Sequence, residues 1–415
     1  MAHSNNTGSL AAGVKALADG TSGLAHTQAL WRFLGNDKVT PQCLSAPLVA
    51  ACHEAVEQCE GDYALCIHDW SRIHYGGHAS KKDRLQMTHA GDIGYELQSS
   101  LLVNAQTGNP LSVAAQNLVS AEGMWQSSMA QIQADDQTHL DELSHRIDWI
   151  EQQRFGKRLV HIVDREADSV AHLRQWHQQG SDWLVRVKAG SHVRCGDTTL
   201  PLSAVAEQLT FDKTRQVLCK DQPCTQWIAG TTVVLARKAQ PKRVDATGKR
   251  EKRVAGEALE VRLVVSKILN ADGDLVAQWY LLSNVGAHVE DAQLALWYYF
   301  RWQIETFFKL LKGAGHQLES WEQETARATF NRLLIATQAC VTAWRLMWAP
   351  GEDALRTRLF LVRLSGRQMK RARPVTFPAL LDGLFTLFTM LETLEHYSLS
   401  DLKAFAHVAK NQFHL

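Results

Sequence analysis

Leu159-Val160-His161-Ile162-Val163-Asp164-Arg165-Glu166-Ala167-Asp168 sets a short apolar run directly before an acid, with a helix-like sequence following at once. Such a run, closed by a charged cluster, reads as a buried strand. In open α/β sheets the carboxyl ends of the strands gather ligand-handling groups, so Asp164 stands where a working carboxylate belongs. Asp is also a favoured helix N-cap, and capping does not exclude ligation. The pattern recurs upstream, where Tyr63-Ala64-Leu65-Cys66-Ile67-His68 reads as a strand closed by Asp69.

A third acid lies far downstream. Arg301, Glu305 and Lys312 follow Tyr298 by three, seven and fourteen residues. On an α-helix these offsets return to nearly one angle, so a helix over 297–312 carries all four side chains on one stripe. Phe300, Ile304, Phe307, Phe308 and Leu311 supply its apolar body. A half-buried acid between two cations is tolerated only when partnered, and this set looks prepared for phosphates and metal. The plainer reading is an ordinary Arg301–Glu305 pair on a solvated face, worth a few tenths of a kcal/mol.

Asp69, the run Asp164-Arg165-Glu166-Ala167-Asp168, and Tyr298-x2-Arg301-x3-Glu305-x6-Lys312 together resemble the DDE-type transposases of bacterial insertion sequences. Within them the match is to the IS-four group, marked by a Tyr-Arg-Glu-Lys signature, in the retroviral-integrase and RNase H-like superfamily. The resemblance spans most of the chain, from about Ala25 into the C-terminal helices. It implies an α/β fold: an RNase H-like mixed-sheet catalytic core interrupted by a β-rich insertion, with helical N- and C-terminal regions. Asp69, Asp164 and Glu305 are then the catalytic, metal-binding acids. Tyr298, Arg301 and Lys312 contact DNA near the cleaved strand, and Arg186 and Lys188 lie close by. Trp279 or Trp302 receives a base flipped from the duplex, although either also suits plain core packing. Family members act as dimers through C-terminal helices.

The chemistry stands without the family. A phosphodiester is attacked in line by water or a 3′ hydroxyl, and two divalent cations activate the nucleophile and stabilise the leaving oxygen. Mg²⁺ prefers oxygen ligands and keeps several waters, so two or three carboxylates suffice; Mn²⁺ can substitute. Arg301 would grip phosphate through its planar fork and Lys312 as a point charge. No other cofactor is expected. The activity that the resemblance implies is cut-and-paste transposition. The protein binds double-stranded DNA at its element's terminal inverted repeats, pairs two ends as a homodimer in a synaptic complex, and frees a 3′ hydroxyl. That hydroxyl forms a hairpin, reopened before strand transfer into target DNA. Two other readings use the same residues: a truncated DNA-binding, dimerising inhibitor of transposition, and a general metal-dependent nuclease.

Composition sets bounds. The chain has 415 residues, enough for a large core and more than one domain, and its formal net charge of +1 gives no global sign of a nucleic-acid partner. Charge is uneven, however. Arg237, Lys238, Lys242, Arg243, Lys249, Arg250, Lys252 and Arg253 form one basic cluster; Arg356, Arg358, Arg363, Arg367, Lys370, Arg371 and Arg373 form another. Each is a candidate phosphate-binding surface whose binding weakens with salt. Eight cysteines without a CxxC pair argue against a disulfide framework or structural zinc. The N-terminus lacks a signal pattern and no uninterrupted apolar run reaches membrane-spanning length, so a cytoplasmic protein, nucleoid-associated when on DNA and without a membrane partner, is expected.

The expected organisation is a helical N-terminal DNA-binding region over 1–60, its first twenty or so residues Gly, Ser and Asn rich, then the first part of the core over 61–181. The β-rich insertion covers 182–285, the Glu-bearing part of the core 286–345, and a helical dimerisation region 346–415. Within the core, strands at 94–103 and 110–118 extend the Asp69 strand into an antiparallel meander, and a helix at 141–154 precedes the Asp164 strand. Further strands are read at 183–187, 231–236, 259–265 and 276–282, and helices at 327–348, 353–370 and 377–396.

Overall fold

A computed structural model describes residues 23–129, 138–219, 222–239, 252–370 and 373–413. The basic residues Lys242, Arg243, Lys249, Arg250 and Arg371, and the Gly, Ser and Asn rich start of the chain, lie outside the described residues.

The stretch 25–60 forms two helices rather than one, α1 (Gly23–Gly35) and α2 (Pro41–Glu57). The chain turns at Asn36–Val39, and Thr40 restarts it: its hydroxyl accepts from Cys43 N at 3.2 Å, and Pro41 occupies the first helical position. Strands β1 (Tyr63–His74), β2 (Leu85–Gln86), β3 (Ile93–Asn104), β4 (Pro110–Ser120) and β5 (Gly123–Gln126) follow. The meander expected from the sequence is present, because β1 pairs antiparallel with β3 and β3 with β4. Helix α3 (His139–Gln152), capped by Thr138, then leads into β6 (Arg158–Val163).

After β6 come a single 3-10 turn at Arg165–Ala167, helix α4 (Val170–Gln178) and β7 (Asp182–Val187). Next are β8 (His192–Cys195), β9 (Thr198–Pro201), α5 (Leu202–Glu207), β10 (Lys213–Cys219), β11 (Gln222–Leu235), β12 (Leu259–Leu269) and β13 (Leu275–Ser283). Among the described residues all thirteen strands belong to one sheet, ordered β5-β4-β3-β1-β6-β7-β13-β12-β11-β8-β9, with β10 on β11 and β2 on β3. The ladders β1/β6 and β6/β7 are parallel; the others are antiparallel. The β-rich stretch from 182 therefore continues the same sheet, and its first strand, β7, lies beside β6.

Alternation along the central strands sorts two cores. Leu65, Ile67, Val160, Ile162 and Leu184 face one side with the C-terminal helices, whereas Val163, Trp183 and Val185 face the other with Leu143 and Ile147 of α3. Asp69 and Asp164 continue the first series, so their strands aim them at the first face.

On that face lie α6 (Asp291–Tyr299), α7 (Trp302–Lys309) and a π-helical turn at Leu310–Ala314. The single helix expected over 297–312 is thus broken at Phe300–Arg301. Bonds from Arg301 N to Tyr298 O (3.1 Å), Gln303 N to Phe300 O (3.0 Å) and Ile304 N to Arg301 O (3.2 Å) tighten this turn to three-residue spacing. Helices α8 (Ala326–Trp348), α9 (Glu352–Leu364), α10 (Phe377–His396) and α11 (Leu399–Phe413) complete the chain; α9 ends at Leu364, short of the expected Lys370. By length and composition α10 is apolar enough to cross a membrane, although Asp382 and Glu392 interrupt its apolar run. Here it packs on α9 and α8, with Asp382 paired to Arg367.

The β3–β4 turn abuts the break between α6 and α7. Gly108 has φ +73, and a Cβ there would stand 2.5 Å from the Phe300 ring. Gly108→Ala should destabilise the fold by about 2–4 kcal/mol, combining a left-handed penalty with overpacking of Phe300. Urea denaturation of the variant reads this directly, and an unchanged midpoint would mean that Phe300 is not seated against the turn.

Candidate active site

Parallel pairing of β1 and β6 runs from Tyr63↔Arg158 to Ile67↔Ile162 and then stops. Beyond it the strands part, β1 staying with β3 and β6 with β7, which leaves a crevice at their carboxyl ends. Asp69 and Asp164 stand at its two sides. The Asp164 carboxylate accepts from Glu166 N at 2.9 Å and caps the 3-10 turn, so the capping role read from the sequence is realised.

Arg301, at the helix break, closes the crevice. Its Nη1 donates to Asp69 Oδ2 at 2.7 Å, and its Nη2 lies 3.6 Å from Glu305 Oε1. Asp69 Oδ1 accepts from Trp70 N at 2.9 Å. The side chains of Asp69 and Arg301 are only 14% and 12% exposed, whereas Glu305 at 37% opens to solvent. Burial pushes the Asp69 carboxyl up to about 6; Arg301 and the Trp70 amide oppose the rise, and the nearby charges of Glu305 and Asp164 add to it. For Arg301, burial alone would lower the pKa, but Tyr298, Asp69, Glu305 and Asp164 outweigh it and raise it. All three acids therefore act on one small volume.

The remaining signature residues flank that volume. Tyr298 is buried, and burial raises its pKa against the pull of Arg301 and Arg186. Lys312 donates to the Arg72 carbonyl on β1 and lies 3.6 Å from Glu319. Trp302 is 54% exposed and points away from the core. Trp279 is corrected by the structure: it is a buried core residue, its ring edge-on to Tyr298 at 5.2 Å, so it seats the tyrosine and presents no stacking surface. Lys188 is exposed and lines a separate recess of about 750 Å³ with Asp168, Ser191, His192, Arg237 and Arg253. Asp168 organises that recess, accepting from Ser191 Oγ (2.5 Å), Lys188 N (3.2 Å) and Arg237 Nη2 (2.5 Å).

Two neighbours were not anticipated. His139, at the start of α3, stacks on Trp70 at 5.4 Å and reaches Glu96 (3.1 Å) and Glu166 (3.5 Å). Hydrogen bonds that it donates to Glu166 and Glu96 push its pKa up to about 9. The other is a chain of buried side chains behind β1 that includes His68 and His161. The nearness of His68 to Asp69 and of His161 to Asp164 in the sequence hinted at the second; no such signal marked His139.

Hard carboxylate oxygens around a partly buried position suit Mg²⁺ or Mn²⁺, and the Arg301 guanidinium between Asp69 and Glu305 offsets their charge as a cation would. Oxygens of the three acids do not all lie within 4.8 Å of one another; among the described residues only Cys66, His68 and His161 bring three donors that close. That tighter group lies on the opposite face of β1, its imidazoles already hydrogen-bonded to each other, to Ser100 and to Glu151. Its sulfur and nitrogen donors do not match a hard cation.

Residues 60–340 match the model of a family described as "Transposase DDE domain". No curated protein matches. Among solved structures, the chain is similar to a piggyBac transposase, described as "Cryo-EM structure of piggyBac transposase synaptic complex with hairpin DNA". The TM-score is 0.37 and the identity 10%, over 86% of this chain and 60% of that one, so the chain spans about 60% of that relative's length.

With a folded pKa near 6 against 3.8, Asp69 binds its proton more tightly in the folded state than in the unfolded chain. The favourable contribution is full below about pH 3.8 and is lost as pH rises through about 6. In EDTA the protein should therefore lose on the order of 2–3 kcal/mol from this group between pH 4 and 7.5. Asp69→Asn should remove that slope; denaturant unfolding of both proteins at both pH values decides, and parallel curves would reject the assignment.

Proposed function

The chain belongs to the transposase DDE-domain family, and on that footing we propose that it is a DNA transposase that cuts its element's ends and joins them to target DNA. The observation that carries this reading is the convergence of Asp69, Glu305 and Asp164 on the Arg301 guanidinium at the parted ends of β1 and β6. The strand order around them, an antiparallel meander followed by a parallel β6, supports an RNase H-like core. The Tyr298, Arg301, Glu305 and Lys312 spacing supports the IS-four group.

Asp69, Asp164 and Glu305 would hold two Mg²⁺ ions, which when bound activate the attacking oxygen and stabilise the leaving one. The chain's other residues bind and orient. Arg301 is held against Asp69 through Nη1, which leaves its remaining donors to grip a backbone phosphate. Lys312, fixed to Arg72, supplies a point charge on the same edge of β1. The Tyr298 hydroxyl donates to a neighbouring phosphate, and burial, which raises its pKa, favours that protonated form. Trp302 offers the exposed ring on which a displaced base can stack. Arg186 stands beside Tyr298, and Lys188 with Arg237 and Arg253 offers positive charge in the separate recess.

The proposed reaction is cut-and-paste. Water cleaves one strand at the terminal inverted repeat, the freed 3′ hydroxyl attacks the opposite strand to give a hairpin, and after reopening the 3′ end attacks target DNA. Pairing of ends requires two protomers. Exposed Met390, Leu391, Leu394, Leu399, Phe405 and Val408 on α10 and α11 are apolar side chains suited to homodimer contact. The protein so read works in the cytoplasm, on the nucleoid.

A duplex carrying the element's own terminal repeat should be nicked in Mg²⁺, and Asp69→Asn, Asp164→Asn or Glu305→Gln should each slow this roughly a thousandfold, about 4 kcal/mol. Gel-shift affinity for the same duplex should survive these changes, and Lys312→Ala should weaken it. Equal cutting of unrelated duplexes would point to a general nuclease, and undiminished cutting by the acid variants would overturn the site.

A further inference from the structure

Behind the acids, on the other face of the sheet, runs a continuous chain of hydrogen-bonded side chains. Ser100 Oγ of β3 meets His68 Nδ1 at 2.9 Å, His68 Nε2 meets His161 Nδ1 at 2.9 Å, and His161 Nε2 meets Glu151 Oε1 at 2.9 Å. Both imidazoles are fully buried and nearly coplanar, their planes 20° apart. With neutral imidazoles the chain has one consistent polarity. Glu151 accepts from His161 Nε2–H, which leaves His161 Nδ1 to accept from His68 Nε2–H, which leaves His68 Nδ1 to accept from the Ser100 hydroxyl. Every ring nitrogen is used once.

The position of this chain decides its role. Backbone pairing between β1 and β6 ends at Ile67↔Ile162, and His68 is the next residue of β1, immediately before Asp69. His161 precedes Asp164 by three residues on β6. The His68–His161 bond therefore links the two strands at the point where backbone pairing ceases and the acids begin. Ser100 anchors one end to β3 and Glu151 the other to α3. Nothing else in this link touches the acids' own face, so it acts through the strands.

We infer that His68 and His161 are positioning residues, whose imidazole–imidazole bond fixes the separation of Asp69 and Asp164 and so the affinity of the acid site for divalent cations. The inference rests on the reading of those acids as cation ligands.

The test uses the full chain without DNA and Mn²⁺ alone as the probe, followed by calorimetry and by the Mn²⁺ paramagnetic resonance signal. His161→Leu, which leaves His68 Nε2–H without an acceptor, should weaken Mn²⁺ binding about tenfold, the usual consequence of losing a residue that orients a ligand. His161→Asn retains an oxygen where Nδ1 stood and should recover affinity to within about threefold of the native chain. Leu143→Ala, in the core on the same face but outside the chain, should lower Tm without changing Mn²⁺ affinity. Should His161→Leu not fold, Glu151→Ala at the half-exposed end should still weaken Mn²⁺ binding about threefold. Native affinity in His161→Leu or Glu151→Ala, or an equal loss in Leu143→Ala, would overturn the inference alone. Mn²⁺ binding by the native chain that Asp69→Asn leaves untouched would overturn both it and the reading of the site.

Discussion

Parallel pairing of β1, β6 and β7 inside an otherwise antiparallel sheet is the constraint on which the rest depends. Parallel strands deliver their carboxyl ends to one edge, and here two of the three acids are the residues that follow buried strand segments. Were β6 reversed, Asp164 would move to the opposite edge, roughly 20 Å away at about 3.3 Å per residue. The parallel arrangement in turn demands a long crossover, which the meander and α3 supply between β1 and β6. It also demands cover on both faces, given by α3 and α4 on one and the C-terminal helices on the other.

The electrostatics of the crevice follow from that cover. Asp69 is held among apolar neighbours closely enough that burial disfavours its charge, yet two other carboxylates act on it from nearby. Such a group of acids is unstable without positive charge, and Arg301 is placed to provide it. The signature residues are consequently also what docks the helical segment on β1. Arg301 bonds Asp69, and Lys312 bonds the Arg72 carbonyl three residues further along the same strand. Binding groups and packing groups are the same side chains, which ties the placement of Glu305 to the strand that bears Asp69.

What could be read from the sequence was local. The β1 and β6 strands, the acid that closes β6, the meander and most helix ends were legible because apolar runs, turns and caps lie within a few residues of one another, whereas β1 runs on past Asp69 to His74. The partners across the sheet were not. Nothing in Trp279 itself distinguishes an exposed stacking ring from one buried under Tyr298; the difference lies in a helix some twenty residues on. The His68–His161 bond joins residues 93 positions apart, and His139 meets Glu96 from another element altogether. The break at Phe300–Arg301 has no Pro or Gly of its own; Phe300 sits against Gly108, in a turn far earlier in the chain. Membership of the β-rich stretch in the same sheet likewise depends on the β7/β13 pairing, which no single segment encodes.

The helix break raises the question of why a stripe derived from an unbroken helix still gathers on one side. Between Tyr298 and Lys312 the chain departs from α-helical geometry twice, in opposite senses. The three-residue bonds at Arg301, Gln303 and Ile304 overwind it, advancing each residue further around the axis than an α-helix would. The π turn at Leu310–Ala314 underwinds it by admitting an extra residue. The first deviation rotates the following residues forward and the second rotates them back, so Lys312 returns toward the phase of Arg301. Both side chains reach β1, at Asp69 and Arg72, from the same side. Spacing in the sequence thus encoded the common face, while two compensating irregularities determined how the backbone keeps it.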